Sequence, residues 1–313
     1  MYNQSESGGH YPPTHVARFP EQGDATSGID PGSEAILDEA ALRLHYLYAD
    51  QLNDLVIERL VVGVFFVGVK LSNGCAGVAY TPPEVIKDAG RRILKADTPT
   101  LHGAPAATFA KGDIPSPFAA VIRLATLNAL SVPFLEEGRY CIDDSGDASG
   151  LPLLFNHRRV CMVGAIIPLL KRLKELDTTE VTIIDRKKET QAEAEAGYGT
   201  FVPPERTAES LGRCETAVFT GAAIANGSIE GLIRCVPGDT AIAVVGPTAG
   251  FIPDPLFRRN VALVGTVKVT DSDLAMEILA EGGGAYQLFG NCVHKINLLN
   301  VGRLRQLNLS GDF

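Results

Sequence analysis

The stretch RRVCMVGAIIPLLKRLKELDTTEVTIID, residues 158–185, decides the fold class. It opens with a continuous apolar run, continues with Ile167, Leu170 and Leu173 at helical spacing, and closes with a second apolar run that ends at Asp185. Strands that are apolar throughout and alternate with amphipathic helices are typical of a parallel sheet covered on both faces. The stretch therefore predicts one strand–helix–strand unit of such a sheet.

The same alternation continues toward the C-terminus. Further apolar runs predict strands, and they alternate with helical segments; in chain order these read TAVFTG, SIEGLIRCV, DTAIAVVGP, DPLFRRN, VALVGTVKV and DSDLAMEILAEGGG. Strands and helices in this order fold as a doubly wound α/β sheet. We therefore predict a doubly wound parallel-sheet domain over residues 158–313.

The residues before this domain show a different pattern. An amphipathic helix comes first, and Asn73-Gly74 then marks a hairpin turn between two strand-like runs, after which helical spacing returns. We predict a small α+β domain over residues 34–135, made of a helix, an antiparallel meander and further helices. The acidic, glycine-containing residues 136–157 are predicted to be a linker, and the polar residues 1–33 a mobile tail.

Charge and hydropathy argue against two classes of partner. The formal net charge is −9 and the pI is about 5.2, and the chain has no long run of Lys and Arg. Binding to nucleic acid needs clustered cations that neutralise phosphates, so no nucleic-acid partner is expected. No apolar run approaches the roughly 18 residues that span a bilayer, and no secretory signal pattern is visible, so no membrane partner is expected.

The six cysteines lead to a prediction about the compartment. None of them forms a CxxC pair, so the sequence gives no support for a structural zinc site or a redox dithiol. We interpret them as free thiols in a reducing environment and predict a cytoplasmic protein. Cys292 and His294 are the one closely spaced Cys/His pair. In an extended segment they would share a face and offer two ligands to a soft metal, and whether they do so stays open.

The carboxyl ends of the parallel strands are the expected ligand-binding edge, because open α/β sheets bind ligands there. Gly164 allows close backbone approach, but one glycine stands where the dinucleotide fingerprint needs three, so a standard NAD site is not expected. Asp185 is either a ribose acceptor or an acid of the turn. Thr220, Asn226 and Thr248 converge on one pocket if their strands are neighbours, and simple turn chemistry is the alternative.

Several stretches together resemble one protein family. In chain order they are LSNGCAGVAYT, LATLNALS, VCMVGAIIPLL, VFTGAAIANGSIEGLI, AVVGPTAGFIPDPLF and LVGTVKVTD, and they spread over about residues 35–285. The chain resembles the DUF364 proteins, which carry the label "putative heavy-metal chelation domain", with a DUF4213 domain in front. The resemblance implies a small α+β enolase-N-terminal-like domain packed on a Rossmann-like doubly wound parallel-sheet domain, with a site in the cleft between them.

The resemblance also implies a set of ligand-binding residues. By position they are Thr81 and Asn128 in the first domain and Gly164, Pro168, Thr220, Gly221, Asn226, Gly246, Pro247 and Thr248 in the second. The sequence departs from the usual pattern of the family at Ala222-Ala223, where hydroxyl residues are common, and at Thr248, where Ser is common. The first departure removes polar groups that a ligand would contact.

Three functions agree with these features. The first is heavy-metal chelation, or the handling of a metal complex or small molecule held between the two domains; oxygen donors there suit an anionic chelate better than a bare soft metal. The second is an enzyme that uses a nucleotide or S-adenosylmethionine-type cofactor, with Asp185 on the ribose, and a nucleotide is the less favoured ligand. The third is a binding or assembly module without catalysis. The apolar meander also offers an edge for a possible homodimer.

Overall fold

The first part of the chain is a three-stranded antiparallel sheet packed on helices. Its helices and strands are α1 (Ser33–Tyr48), β1 (Ile57–Val62), β2 (Phe66–Leu71), β3 (Ala76–Tyr80), α2 (Pro83–Ile93), α3 (Ala106–Lys111) and α4 (Ala119–Glu136). The strands pair in the order β1-β2-β3. The predicted turn joins β2 to β3, and Gly74 in it adopts φ +83°. The predicted meander with flanking helices is therefore present.

The computed structural model describes residues 33–93, 101–136, 138–144, 152–186, 191–192 and 197–309. The predicted tail of residues 1–33 lies outside this part of the chain except for its last residue. Residues 145–151, in the middle of the predicted linker, also lie outside it.

Helix α4 is the central helix of the first part. It lies so close to β3 that a Cβ atom at Gly77 would come within 2.3 Å of the carbonyl oxygen of Ala125. Within the described residues it is the one helix that is long and apolar enough to cross a membrane, and 78% of it is buried inside the protein. Packing on its neighbours accounts for its apolar composition, as expected for a core helix.

The second part is built on a sheet with eight strands in the described residues. They are β4 (Cys141–Asp143), β5 (Arg159–Val163), β6 (Glu180–Ile184), β7 (Thr200–Val202), β8 (Thr216–Thr220), β9 (Ala241–Val245), β10 (Val261–Val269) and β11 (Val293–Leu299). They lie in the order β4-β11-β10-β9-β8-β5-β6-β7. The strands from β10 to β7 run parallel, and β11 and β4 extend one edge in antiparallel pairing.

Helices lie along the second part of the chain between and after these strands. They are α5 (Ile167–Glu175), α6 (Thr207–Leu211), α7 (Ala222–Ala225), α8 (Ile229–Arg234), α9 (Asp254–Phe257), α10 (Ser272–Ala280), α11 (Ala285–Phe289) and α12 (Val301–Gln306). In space the parallel strands lie in the order β10-β9-β8-β5-β6-β7. The order therefore reverses beside β5, the first of them in the chain, as it does in a doubly wound sheet. The predicted fold class is confirmed.

Three strands were not predicted. β4 lies inside the predicted linker and pairs with β11. β7 and β11 come after stretches of sequence in which the apolar residues show no clear helix or strand period. β4 and β7 have only three residues each, which is too short for a hydrophobic period to show.

One hydrophobic core joins the two parts. It contains residues of α1 and α4 as well as residues of β5, β8 and β9, such as Ile36, Leu127, Cys161, Phe219 and Val244. The described residues between 33 and 309 accordingly belong to one compact unit.

Candidate functional site

The carboxyl ends of β5, β8 and β9 lie side by side. Val163 pairs with Phe219, and Thr220 pairs with Val245. The strand order reverses between β5 and β8, because the chain first moves from β5 to β6 on one side and later returns to β8 on the other. This reversal is the position at which doubly wound sheets bind ligands.

Gly164 and Thr220 pack directly against each other at this reversal. Gly164 adopts φ +81° and a Cβ atom there would lie 2.6 Å from the hydroxyl oxygen of Thr220. The Gly164 amide also donates to the carbonyl of Ile184 at 2.8 Å, which extends the hydrogen bonding between β5 and β6. The glycine is therefore required by its backbone conformation and by the close contact.

The loops after β8 and β9 also touch. A Cβ atom at Gly221 would lie 3.0 Å from Cβ of Thr248, and one at Gly246 would lie 3.2 Å from the Gly221 amide nitrogen. A short 3-10 turn, Pro247–Ala249, then places Thr248 in contact with the first part of the chain. The structure thus brings together six of the predicted residues of the second domain, namely Gly164, Thr220, Gly221, Gly246, Pro247 and Thr248.

Asn128 connects the first part of the chain to this turn. Its side-chain amide donates to the carbonyl of Val78 at 2.8 Å and to the carbonyls of Thr248 at 3.1 Å and Pro247 at 3.4 Å. In addition, the main-chain amide of Tyr80 donates to the Thr248 hydroxyl at 3.0 Å. The predicted residues of the two domains are therefore in direct contact. We call this contact, formed by Tyr80, Thr81, Asn128, residues 246–250 and Thr266, the interdomain junction.

Three buried oxygen atoms at the interdomain junction have no hydrogen-bond partner among the described residues: Thr81 Oγ1, Asn128 Oδ1 and Thr266 Oγ1. Their residues are between 1% and 4% exposed. Two of them face one small space, because a Cβ atom at Gly250 would lie 3.3 Å from Cγ of Asn128 and 3.4 Å from Oγ1 of Thr266. Buried polar atoms in native proteins are nearly always paired with protein, water or ligand.

A small cavity of about 10 Å³ opens beside Asn128. Its lining includes Asn128, Pro247, Gly250 and Lys268. A cavity of this volume admits one group the size of a water molecule. Lys268 at the lining pairs with Glu136 at 2.6 Å, so the cavity has an ion pair beside it.

Two predicted residues have local roles in the structure. Asp185 follows β6, and its carboxylate accepts from the Ala165 amide in the turn after β5 at 2.9 Å, so it holds that turn. The Asn226 carbonyl oxygen accepts from the Ser228 amide at 3.1 Å and from the Ser228 hydroxyl at 2.8 Å. Asn226 is exposed at the end of α7, and these bonds hold it in the turn that precedes α8. A ligand-binding role of either residue stays a prediction.

The described residues contain no group of three or more His, Cys, Asp and Glu side chains placed to hold a metal ion. Cys292 is fully buried and its thiol contacts the carbonyl of Leu288, whereas the His294 side chain is exposed to solvent. Burial, and next the charge of Glu136, raise the pKa of the Cys75 thiol. Cys75 is accordingly a neutral thiol at neutral pH.

Two polar residues at or beside the interdomain junction were not singled out from the sequence. Ser131, one helical turn after Asn128, accepts from the Ile252 amide at 2.9 Å. Its spacing of three residues from Asn128 is a signal that both side chains share a helix face. Thr266 lies inside β10, and nothing in its neighbouring sequence distinguishes it from a hydroxyl that fills a core position.

Two family models match the chain. The DUF364 model, described as "Putative heavy-metal chelation", matches residues 147–298. The DUF4213 model has the same description and matches residues 46–131. No curated protein matches the chain.

Two solved structures share the fold, and both are DUF364 proteins whose function is unknown. The protein from Pyrococcus horikoshii is 19% identical, with 84% of this chain and 99% of that chain covered and a TM-score of 0.63. The protein from Desulfitobacterium hafniense DCB-2 is 17% identical, with 83% and 99% covered and a TM-score of 0.58. At these identities the likeness shows the fold alone. The two family matches cover most of the sequence in the order of the fold, and the chain belongs to the DUF364 family, with a DUF4213 domain in front.

Proposed function

We propose that the protein binds a metal complex or a similar small chelate at the interdomain junction. The observation that carries the proposal is the set of buried, unpartnered oxygen atoms on Thr81, Asn128 and Thr266. A buried polar atom that stays unpaired costs about 1–3 kcal/mol of stability. A ligand group that pairs with these oxygen atoms recovers that free energy on binding.

The chemistry of the donors favours a ligand that brings its own metal-binding groups. Hydroxyl and amide oxygens are hard, neutral donors, which hold soft heavy metals poorly. Hydroxyl groups can instead donate hydrogen bonds to the carboxylate oxygens of a chelate, and the amide oxygen can accept from a metal-bound water. The description of the family models, "Putative heavy-metal chelation", supports the metal-bearing part of the proposal.

The cavity limits how such a ligand is held. Its volume of about 10 Å³ admits one polar group beside Asn128. The body of the ligand then lies outside the cavity, next to the 246–250 loop, whose Pro247 and Gly250 line it. Lys268 lines the cavity and supplies a positive charge for an anionic ligand, in competition with its partner Glu136.

Native mass spectrometry and elemental analysis of untagged protein, purified without chelator, test the proposal. We expect a bound mass larger than that of a metal ion alone. Thermal unfolding is then measured with Ni(II), with citrate and with the Ni(II)–citrate complex, and the complex is expected to raise Tm most. Absence of a bound mass together with an unchanged Tm for all three probes contradicts the proposal.

Variants separate ligand binding from folding. Thr266→Val and Thr81→Val remove hydroxyls without a described partner, so stability is expected to hold or rise while ligand affinity falls at least tenfold. Thr126→Val is the matched control, because the Thr126 hydroxyl donates to the carbonyl of Ile122 within α4 at 2.8 Å. That change should lower stability and leave ligand affinity unchanged. Full affinity in Thr266→Val would mean that a water molecule alone fills the space.

A second candidate function has one observation in its favour. The strand order of the second sheet is the one that binds nucleotides at its reversal, and Gly164 lies there with a left-handed backbone. A nucleotide or S-adenosylmethionine-type cofactor would then lie on the loops of Gly164 and Thr220. The sequence lacks the glycine fingerprint, which is why we place this function second.

A further inference from the structure

Strand β1 leaves one side of its main chain open to further pairing. It is the edge strand of the first sheet, and among the described strands it pairs with β2 alone. The Gly63 amide donates to the carbonyl of Phe66 at 2.9 Å. Hydrogen-bonded pairs alternate along an antiparallel ladder, so Val61 also directs its main-chain groups toward β2. The amides and carbonyls of Leu60 and Val62 therefore point away from β2, where no described strand meets them.

An exposed apolar patch continues from this open edge around the hairpin between β1 and β2. Its side chains are Val62, Val64, Phe65 and Tyr286, which are 40%, 58%, 50% and 78% exposed. A Cβ atom at Gly284 would lie 3.3 Å from the Phe65 ring, so the hairpin packs on the loop before α11, the helix that carries Tyr286. Apolar patches that contain exposed aromatic rings are typical of protein interaction surfaces.

Arg59 lies on the side of the first sheet that α10 covers. Side chains alternate along a strand, so Arg59 and Val61 share a face with Gly63. A Cβ atom at Gly63 would lie 2.7 Å from the carbonyl oxygen of Leu279, in the last turn of α10. The exposed Glu281 follows this turn. Within the described part of the chain, Arg59 makes no ion pair.

We propose that β1 pairs with β1 of a second copy of this chain, antiparallel about a two-fold axis at Val61. In this register Leu60 of each copy and Val62 of the other exchange main-chain hydrogen bonds, and the two Val61 side chains meet in a pair without such bonds. Each cross-strand pair at the centre is then apolar, and such pairs stabilise a sheet. The two three-stranded sheets become one sheet of six strands, and the interface is the same patch on both copies.

The charges of the two copies are complementary in this register. Arg59 of one copy lies opposite Gly63 of the other, where the absence of a side chain leaves room for the guanidinium. Gly63 lies against the carbonyl of Leu279 at the C-terminal end of α10. Cations are favoured at that end of a helix, and Glu281 adds a negative charge there. The two-fold axis forms this contact twice, which a single strand of another protein cannot do.

The exposed area is large enough for a dimer of moderate affinity. Fully exposed side chains of these sizes present on the order of 150–250 Å² each, so the apolar patch offers roughly 400 Å² per copy. Two copies supply roughly 800 Å², to which the paired main chains add, and specific interfaces bury about 1,200–2,000 Å² in total. The dimer therefore lies near the lower end of this range, and we expect a dissociation constant on the order of micromolar.

Sedimentation velocity of the intact, untagged chain over a wide range of concentration tests the proposal. Val62→Lys places a charge at the paired edge, and Arg59→Glu puts a negative charge at the C-terminal end of α10 of the second copy. Each is expected to raise the Kd of the dimer at least tenfold. Leu42→Lys changes a side chain of α1 that is 56% exposed and is the matched control, with the Kd unchanged. Circular dichroism and Tm verify that each variant is folded.

Cross-linking tests the register. The two Cα atoms at position 61 would lie about 4.5 Å apart, which is inside the range of about 4.4–6.8 Å that a disulfide spans. Val61→Cys should therefore form a covalent dimer on mild oxidation. Val62→Cys lies opposite Leu60 of the second copy and should give no more than the wild type, whose own exposed Cys141 and Cys235 set the background.

Three results would overturn the proposal. The first is a wild type that stays monomeric at every concentration. The second is a dimer whose Kd is equal in Val62→Lys, Arg59→Glu and the control, because it then uses another surface. The third is a dimer that gives no cross-link in a folded Val61→Cys variant, because its strands then do not pair about Val61. Thr266→Val should dimerise like the wild type, so the result is independent of the ligand at the interdomain junction.

Discussion

The main-chain amide of Tyr80 donates to the hydroxyl of Thr248 at 3.0 Å, across 168 positions of the chain. Thr248→Val keeps the shape of the side chain and removes the acceptor, so the part-buried amide of Tyr80 loses its partner. We expect the free energy of unfolding to fall by about 1–3 kcal/mol. Urea unfolding measures it, with an unchanged m value as the sign that the compactness of the two states is unaltered. Thr248→Ser retains the hydroxyl oxygen, so its free energy of unfolding should fall by clearly less.

Gly164→Ala tests the packing at the strand reversal. The backbone at Gly164 is left-handed, at φ +81°, and the added Cβ atom would meet the Thr220 side chain at 2.6 Å. The conformational strain alone costs about 1–2 kcal/mol, and the contact adds to it. Gly231→Ala is the control, because nothing lies within 4 Å of a Cβ atom at that position and alanine favours the helix. Thermal unfolding should show a lower Tm for the first variant and an equal or higher Tm for the second.

Glu39 makes stability depend on pH in the acid range. Burial raises the pKa of Glu39, but hydrogen bonds and charge from Arg259 and Arg258 outweigh it, and the net pKa lies below the ordinary value of 4.5. A carboxyl group with a lowered folded pKa stabilises the fold above its unfolded pKa and loses that contribution as the pH falls through the folded pKa. We therefore expect the wild type to be more stable than Glu39→Gln at pH 7. The free energies of unfolding of the two proteins should converge below pH 4.5.

The measurement for Glu39 is urea unfolding at a series of pH values from 7 to 3. The carboxylate is partly exposed, and its ion pairs should weaken in salt. A difference between wild type and variant that grows as the pH falls would contradict the assignment of the lowered pKa.

Asp185→Ala distinguishes the turn acid from the ribose acceptor. The carboxylate accepts from the Ala165 amide at 2.9 Å, so its removal should cost about 1 kcal/mol of stability. If the role is confined to the turn, any rise in Tm caused by ATP, NAD or S-adenosylmethionine is equal in wild type and variant. A rise that only the wild type shows would support the cofactor function, and Asp185→Asn, which keeps an acceptor for the turn, is the control.

The β5-α5-β6 unit was predictable because its signals are local and strong. The buried strands are continuous apolar runs, and α5 keeps Leu170 and Leu173 in one phase. β4 was not predictable, since Cys141 and Ile142 are exposed and its only guide is the partner strand β11. The register of an added edge strand depends on residues far along the chain, which no local pattern contains.

The candidate site was predictable only in part. Glycine and threonine at strand ends are visible in the sequence, and the structure does bring Gly164, Thr220 and Thr248 to one edge. Asn226 shows the limit: its side chain bonds to Ser228 two residues on, so a local turn uses the group that a ligand was expected to bind. The environment of Thr266 depends on how Gly250 packs between Asn128 of α4 and Thr266 of β10, which is a tertiary property.

Several bonds besides those of Asn128 cross between the two parts of the chain. Ser131 accepts from Ile252 at 2.9 Å, Lys70 pairs with Asp273 at 2.8 Å, and the apolar core is continuous across the boundary. A fragment ending at residue 136 would expose the side of α4 that these contacts cover, so it should not fold alone. We therefore expect the two family modules to unfold as a single thermodynamic unit, and calorimetry of the intact protein should give one transition with matching calorimetric and van't Hoff enthalpies.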